Sequence, residues 1–313
     1  MKITLITPFA GRSRTGNRNT AYRYAGFLRQ LGHQVSVQVN WDGLPADMML
    51  ALHARRSHDS IRRFADAYPQ RPLFLVLTGT DLYRDIRQDS SAQLSMNLAT
   101  RMIVLQEMGL NELSQEQRDR TRVIYQSVTP PKPCAKLKKY FQVCVIGHLR
   151  AEKDPFRCAL ALSRLPSPRL RVIQLGGALE PAMAEQARTL MHQDSRYSWT
   201  GELPHWRAMH KLAQSHLMVI SSRMEGGANV ICEALAAEVP VIASGIAGNI
   251  GMLGKDYDGY FPLENESVLA ERIGQAMNNE FYYRKLLAQC QARSHLFSPE
   301  REKNALASLL DEL

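Results

Sequence analysis

The sequence predicts an α/β protein of two domains, each a doubly wound parallel sheet, with the two domains facing a cleft. Strand-like apolar runs alternate with helical patterns along the chain, which is typical of parallel sheets covered by helices. The length of 313 residues is sufficient for two domains of ordinary size, and a 45% hydrophobic content is typical of globular proteins. A stretch rich in proline and lysine divides the strand-like runs into two series.

The first domain is predicted over residues 1–128. Lys2–Thr7 opens it as a buried strand, and residues 18–32 then carry apolar side chains at helical spacing up to a stop at Gly32. Helical segments such as Ser57–Ala67 separate most of the later strand-like runs, which are Gln34–Asn40, Asp47–His53, Pro72–Gly79, Met102–Gln106 and Arg122–Tyr125.

The segment Ser127–Lys139 contains three prolines and four lysines and has no periodic apolar face, so residues 129–139 are predicted to be an exposed linker. The second domain, predicted over residues 140–297, repeats the architecture of the first. Helical stretches follow its last strand, and the final one begins at Ser298 as N-cap with Pro299 in the first turn. The strand-like runs of this domain are Tyr140–Gly147, Arg169–Gly177, Arg196–Gly201, His216–Ser221, Pro240–Ser244 and Gly259–Leu263.

The stretch Val219–Gly254 predicts strand, glycine turn, helix, strand and second glycine turn in succession. Within it Glu225 and Glu233 are eight residues apart, which on a helix corresponds to about 12 Å. That distance suits the span from the ribose to the sugar of a nucleotide-sugar. Gly226 and Gly227 would let the backbone approach a ligand. The alternative is an ordinary βαβ unit with two incidentally placed carboxylates.

The net charge of +9 favours anionic ligands, and small phosphorylated molecules fit better than nucleic acid because no nucleic-acid-binding motif is present. No apolar run is long enough to span a membrane, and the first residues lack a cleavable signal, so a cytoplasmic protein without an obligatory membrane partner is expected. Five scattered cysteines predict neither disulfides nor a zinc site.

In doubly wound sheets ligands bind beyond the carboxyl ends of the strands, so the loops after strands are the candidate sites. The loop after the first strand brings several cations to a predicted helix N-terminus, which favours an anion site, although a solvated basic loop would look the same. Its candidate residues are Arg12, Arg14, Gly16, Asn17 and Arg18.

Two further loops of the first domain carry candidates. His53 ends a strand and is followed by Arg55 and Arg56; a catalytic role and a hydrogen-bonded structural role are both open. Thr80 and Asp81 follow the next strand, where Asp81 could bind a substrate hydroxyl or cap a helix.

In the second domain Arg150 and Lys153 follow the first strand, and two cations at a strand end suit a diphosphate leaving group. A surface charge cluster is the alternative. Asp256 and Asp258 form a D-x-D pattern that holds a metal in some transferases, but here it follows a glycine loop and is interpreted as a turn, so no metal or other cofactor is expected.

Arg150 with Lys153, the E-x7-E pair and the G-N-x-G loop at 248–251 together resemble the family 4 nucleotide-sugar glycosyltransferases, which have the GT-B fold of two Rossmann-like domains. The resemblance implies that Arg150 and Lys153 bind the donor diphosphate, Glu233 the ribose and Glu225 the transferred sugar. It also implies that helix 298–313 crosses back onto the first domain. The remaining donor-binding positions are expected at Gly201, Glu202, Gly226, Gly227, Ala228, Asn229 and Asn249.

Several longer segments between Thr15 and Pro262 are similar to the selenosugar synthases of selenoneine biosynthesis, a branch of this superfamily; they include TGNRNTAYRYAGFLRQLGH, LTGTDLYRD and GHLRAEKDPFR. This resemblance implies a UDP-sugar as donor, selenophosphate as acceptor, a selenium–carbon bond at the anomeric carbon, and a functional link to selenophosphate supply and to downstream selenoneine enzymes. The acceptor is expected at Arg12, Arg14, Gly16, Asn17, Arg18, Arg55, Thr80 and Asp81, with His53 beside the reaction.

The chain departs from the broader family at Thr78, where many members have a histidine, and at Asn249 and Ile250, where many have an acidic residue. A selenium nucleophile that is already anionic tolerates these changes because it needs no strong general base. Three other functions fit parts of the pattern: transfer to a hydroxyl of a lipid or polysaccharide precursor at a membrane, nucleotide-sugar binding without turnover, and epimerisation of a UDP-sugar.

Overall fold

The computed structural model describes residues 1–8 and 16–313, and within them the chain forms two compact units. The first unit comprises Met1–Ser127, Glu225–Ala228 and Ser298–Leu313. The second comprises Val128–Met224 and Asn229–Phe297. Each unit contains one parallel sheet, of six strands among the described residues, so the predicted α/β class with two doubly wound sheets is confirmed.

The sheet of the first unit has the order β2-β1-β3-β4-β5-β6. Neighbouring strands are parallel and in register, so that Leu5 lies beside Leu50 and Leu50 beside Phe74. The strands are β1 Lys2–Ile6, β2 Gln34–Gln38, β3 Met48–Leu52, β4 Leu73–Leu77, β5 Arg101–Val104 and β6 Thr121–Val123.

Helices cover both faces of this sheet. Because successive side chains of a strand point to opposite faces, Met48, Leu50 and Leu52 of β3 pack in one core and Met49 and Ala51 in the other. The helices of this unit are α1 Gly16–Gln30, α2 His58–Ala67, α3 Ile86–Gln88, α4 Ser90–Leu98, α5 Gln115–Asp119 and α13 Pro299–Leu310.

Helix α13 completes the first core although it lies at the far end of the sequence. Leu306 and Leu309 are buried in the same cluster as Tyr24 and Leu28 of α1. Ser298 caps the helix by accepting a hydrogen bond from the Arg301 N–H.

The sheet of the second unit has the order β12-β11-β10-β7-β8-β9, which is the strand order of dinucleotide-binding domains. Its strands are β7 Phe141–Ile146, β8 Leu170–Leu175, β9 Tyr197–Trp199, β10 Leu217–Ile220, β11 Val241–Ser244 and β12 Tyr260–Phe261. Its helices are α6 Arg157–Ala161, α7 Pro181–Gln193, α8 His205–Gln214, α9 Asn229–Ala236, α10 Ala247–Leu253, α11 Glu266–Asn278 and α12 Glu280–Ser294.

The proline- and lysine-rich segment 129–139 groups with the second unit. The Leu137 N–H donates to the Gln214 carbonyl at 3.1 Å, and Lys136 Nζ donates to the Ala213 carbonyl at the same distance. These bonds fasten the segment to the end of α8.

Candidate functional site

In the first unit the strand order reverses between β1 and β3, and in open α/β sheets ligands bind at such a point beyond the carboxyl ends of the strands. His53 directly follows β3 there and is 1% exposed. Its φ of 74° places it in the left-handed region, which is uncommon for a residue with a side chain. The surrounding hydrogen bonds maintain this strained conformation.

Both ring nitrogens of His53 are engaged. Its Nε2 lies 3.0 Å from Thr80 Oγ1, and the Arg56 N–H points to its Nδ1 at 3.4 Å. Since Nδ1 accepts, Nε2 carries the proton and donates to Thr80. Burial lowers the pKa of His53, and this outweighs the opposing effect of the nearby Asp81 carboxylate, so the ring is neutral at neutral pH.

Asp81 organises the loop that follows β4. Its Oδ1 accepts from the Thr78 and Gly79 N–H groups at 2.9 and 2.8 Å and from Thr78 Oγ1 at 3.1 Å, while Oδ2 accepts from the Ala54 N–H at 3.0 Å. The carboxylate is fully buried. The Asp81 side chain therefore joins the loops after β3 and β4. It caps no helix among the described residues.

Two of the cations expected at the acceptor, Arg18 and Arg55, lie among the described residues. Arg55 is exposed and its Nε lies 2.9 Å from Asp85 Oδ2. Gly16, Asn17 and Arg18 form the first turn of α1, where the Arg18 guanidinium stacks on Tyr22 at 4.7 Å. Arg12 and Arg14 lie outside the described residues.

The turn carrying Glu225 belongs to the first unit, and its glycines are required by protein contacts there. A β-carbon at Gly226 would collide with the Thr78 carbonyl, and one at Gly227 would lie 2.6 Å from Leu105 Cβ. From the sequence, both glycines were expected to allow the backbone to approach a ligand. The structure provides another reason, which is direct packing on the ends of β4 and β5.

Gln126 ties the same turn to the rest of the first unit. Its Nε2 donates to the Gly227 carbonyl at 2.6 Å, and its Oε1 accepts from Arg23 Nη2 at 2.8 Å and from Thr20 Oγ1 at 2.5 Å. Arg23 also lies 2.8 and 3.0 Å, through Nε, from the two oxygens of Glu302 on α13. Sequence reasoning missed this network because no local pattern marks a glutamine whose partners are about 100 residues away.

In the second unit the strand order reverses between β7 and β10, and a small cavity that opens to solvent lies at this point. It is formed by the ends of β7, β8 and β10 and by the loop after β7. The polar residues that line it are His148, Lys153, Gln174, Ser221 and Ser222.

Of these residues only Lys153 was expected from the sequence. His148 directly follows the β7 glycine, where Arg150 was singled out instead; Arg150 is exposed and does not line the cavity. Gln174 lies within β8 and is 1% exposed. Its Oε1 accepts from Tyr197, but its Nε2 has no hydrogen-bond partner among the described residues, so an acceptor entering the cavity would satisfy it.

The loop that presents Lys153 is held firmly. Asp154 is buried in a left-handed conformation with φ 43°. Its carbonyl accepts from Ser221 Oγ at 2.7 Å and its carboxylate from Arg157 Nε at 2.8 Å. These bonds attach the loop to the end of β10 and to α6.

Glu233 lies in α9 and is 9% exposed. Its Oε1 is 2.9 Å from Nε2 of His205, the first residue of α8. Sequence reasoning selected Glu233 and passed over His205, because an exposed histidine at the start of a helix has no distinguishing pattern.

The remaining donor candidates of the second unit differ in accessibility. Gly201 has φ 70°, which favours glycine, and Glu202 beside it is exposed. Asn229 begins α9. Asn249 is fully buried, and its Nδ2 donates to the Ser244 carbonyl and to Ser244 Oγ, each at 3.0 Å. Its amide nitrogen therefore faces β11 of its own unit.

The D-x-D pattern forms a turn that is fastened to α12. Asp258 accepts from Lys285 Nζ at 2.9 Å and from Gln289 Nε2 at 2.6 Å, and Lys285 holds the pKa of Asp258 below its usual value. In residues 1–8 and 16–313 no group of three or more metal-ligating side chains is assembled. No helix in the described ranges is long and apolar enough to cross a membrane.

Solved structures similar to this chain include three proteins that match it over nearly its whole length. The Anabaena protein HepE in complex with UDP and glucose has a TM-score of 0.80 and 18% identity and covers 100% of both chains. Sucrose-phosphate synthase from Thermosynechococcus elongatus has a TM-score of 0.79 and 16% identity and covers 99% of this chain and 98% of its own. A glycosyltransferase from Rickettsia africae has a TM-score of 0.76 and 13% identity, with the same coverage.

At these identities the likeness establishes the fold, which is GT-B, as the sequence resemblance implied. Membership of a family is established separately, by a match to the sequence. The model of the family described as glycosyl transferases group 1 matches residues 131–294, just over half of the chain, and the chain therefore belongs to this family.

Proposed function

We propose that this glycosyltransferase moves a sugar from a UDP-sugar to selenophosphate. The observation that carries the donor side is the cavity at the strand-order reversal of the second unit, where His148 and Lys153 provide cationic or proton-donating side chains. Such groups stabilise the charge that develops on a departing diphosphate.

Each part of the nucleotide-sugar donor is assigned to particular residues. Lys153 and His148 bind the diphosphate, Arg150 assists from the exposed start of the same loop, Glu233 binds the ribose hydroxyls, and Glu225 contacts the transferred sugar. UDP as the nucleotide is supported by HepE, whose crystal structures contain UDP and UDP-glucose.

The acceptor side is supported by the sequence resemblance and by the state of His53. Both its nitrogens are engaged, by Thr80 and by the Arg56 N–H, and burial lowers its pKa, which makes the ring a weaker base. An imidazole in this state is poorly prepared to remove a proton from a sugar hydroxyl. An acceptor that is already an anion needs no such base. Arg18 provides positive charge in the same unit, and Arg55, although paired with Asp85, has a partly exposed guanidinium.

In the proposed reaction the selenium of selenophosphate attacks the anomeric carbon, the bond from that carbon to the UDP oxygen breaks, and UDP leaves with the electron pair. Water then cleaves the phosphorus–selenium bond of the product. Inorganic phosphate and the free selenosugar are released. The activity thus depends on a reaction that supplies selenophosphate and feeds enzymes that consume the selenosugar.

The substrate experiment combines the protein with UDP-glucose or UDP-N-acetylglucosamine and with selenophosphate, thiophosphate or phosphate under anaerobic conditions. UDP release and product mass are followed together. We expect UDP and a selenosugar mass with selenophosphate. Product with phosphate but none with selenophosphate would contradict the acceptor, and turnover only with lipid vesicles or an oligosaccharide would favour a hydroxyl acceptor.

The site experiment replaces Glu225 and Lys153 by alanine, one at a time. Loss of one charge-stabilising contact typically lowers turnover by about 10²–10³-fold, and we expect at least this loss in each variant. Lys211→Ala, which removes an exposed lysine of α8, is the matched control and should retain turnover. Wild-type rates in either test variant would refute the assignment of that residue.

A further inference from the structure

His205 and Glu233 form a contact that connects two neighbouring helices of the second unit. His205 Nε2 lies 2.9 Å from Glu233 Oε1, with the histidine side chain 62% exposed and the glutamate side chain 11% exposed. Buried Ala208, Met209 and Leu212 of α8 anchor the helix that carries the histidine. The imidazole is thus presented to the carboxylate by a fixed backbone.

The contact leaves Glu233 able to bind more hydrogen-bond donors. An ionised carboxylate has about four lone-pair sites on its two oxygens, and His205 occupies one of them on Oε1. A pair of neighbouring hydroxyls requires two sites. The carboxylate can therefore accept from His205 and from a vicinal diol together, without exchanging one partner for the other.

The contact also restricts the rotamers of Glu233. A glutamate side chain loses rotamer freedom worth roughly 1.5–2 kcal/mol when it is fixed, which opposes binding unless the side chain is already ordered. Because His205 holds Oε1 before any ligand arrives, part of the rotamer freedom of Glu233 is already lost in the free protein, and ligand binding does not have to offset that part.

We propose that His205 is a positioning residue for the donor: it orients the Glu233 carboxylate so that it accepts from the two ribose hydroxyls of the nucleotide. This inference rests on the proposed function, in which Glu233 binds the ribose. It adds a residue that acts through another and does not itself touch the reacting atoms.

The test measures binding of UDP by titration calorimetry, which requires neither acceptor nor turnover. His205→Ala should weaken UDP binding about 2- to 13-fold, the range that corresponds to one net hydrogen bond. With 2′,3′-dideoxyuridine diphosphate, which has no ribose diol, wild type and variant should bind equally. His205→Gln, which keeps a donor, should restore part of the affinity for UDP.

His210→Ala is the matched control, since His210 is an exposed histidine of the same helix. It should leave both dissociation constants unchanged. The melting temperature of each variant confirms that the second unit is folded.

Three results would overturn the role of His205 alone: equal UDP affinity in wild type and His205→Ala, tighter UDP binding in the variant, or the same loss with the dideoxy nucleotide. Tighter binding would mean that the histidine competes with the ribose. Failure of the wild-type protein to bind UDP would instead overturn the proposed donor, and this role with it.

Discussion

The carbonyl oxygen of Thr78 occupies the space that a β-carbon at Gly226 would need. Thr78 is the first residue after β4, and Gly226 lies in the turn that carries Glu225. The position of that turn in the first unit therefore depends on the absence of a side chain at residue 226.

Gly226→Ala should displace the turn and lower both stability and transfer. Forced overpacking typically costs about 1–3 kcal/mol, and backbone at this place cannot move aside as a flexible side chain could. Thermal unfolding and UDP release with donor and acceptor measure the two effects. Gly26→Ala is the control: the space around its β-carbon is open and it lies within α1, so it should raise stability by about 0.5–1 kcal/mol. An active, fully stable Gly226→Ala variant would show that the turn tolerates displacement.

Arg23→Ala should destabilise the first unit strongly. The variant leaves the Glu302 carboxylate buried without its guanidinium partner, and breaking a buried ion pair in this way costs about 3–5 kcal/mol. Denaturant unfolding of the variant measures the change. Arg29→Ala, on the same helix but exposed, should change stability much less. Equal effects of the two substitutions would argue against a stabilising role for Arg23–Glu302.

The stability of the fold should fall as the pH drops below about 6.5, the ordinary pKa of histidine. Burial lowers the folded-state pKa of His53, so below pH 6.5 the unfolded chain takes up a proton that the folded chain does not. The loss begins near 6.5 and continues down to the lowered pKa. His53→Gln should reduce this slope between pH 7.5 and 5, while His216 and His33, whose pKa values are also lowered by burial, retain some of it. An unchanged slope would contradict the expectation.

EDTA should leave sugar transfer unchanged. The Asp258 carboxylate is already engaged by Lys285 and Gln289, so it fits the role of a turn-forming residue and not that of a metal ligand. UDP release measured with EDTA, and again after addition of Mg²⁺ or Mn²⁺, tests the point. Activity that disappears with EDTA and returns with one of these ions would require a metal site.

Periodicity was sufficient to predict the sheets. The twelve strands of the described residues all overlap predicted runs, and each is shorter than its run by a residue or more, although β5 and β6 begin one residue earlier than predicted. Runs such as Pro72–Gly79 are longer because they include flanking residues that leave the ladder. Buried parallel strands are continuous apolar runs, and this signal is local.

The site was harder to predict because its contacts are not local. Asp81 was a candidate from the sequence. The four hydrogen bonds that its carboxylate accepts from the loops after β3 and β4, however, exist only because these strands are neighbours in the sheet, which no local sequence pattern shows. Gln126, Gln174 and His205 carry no motif, and each acquires a role only through a partner on another element. A sequence pattern identifies the carboxylate but not the residue that orients it.

The placement of helix α13 has a consequence for biosynthesis. Residues 128–224 and 229–297 form the second unit and are translated before α13, whose Leu306 and Leu309 belong to the first core and whose Glu302 holds Arg23. While the ribosome is still making the second unit, the first exposes the surface that these residues will cover. Residues 1–127 can therefore complete their core only after α13 has been synthesised, and the second unit can reach its final fold earlier than the first.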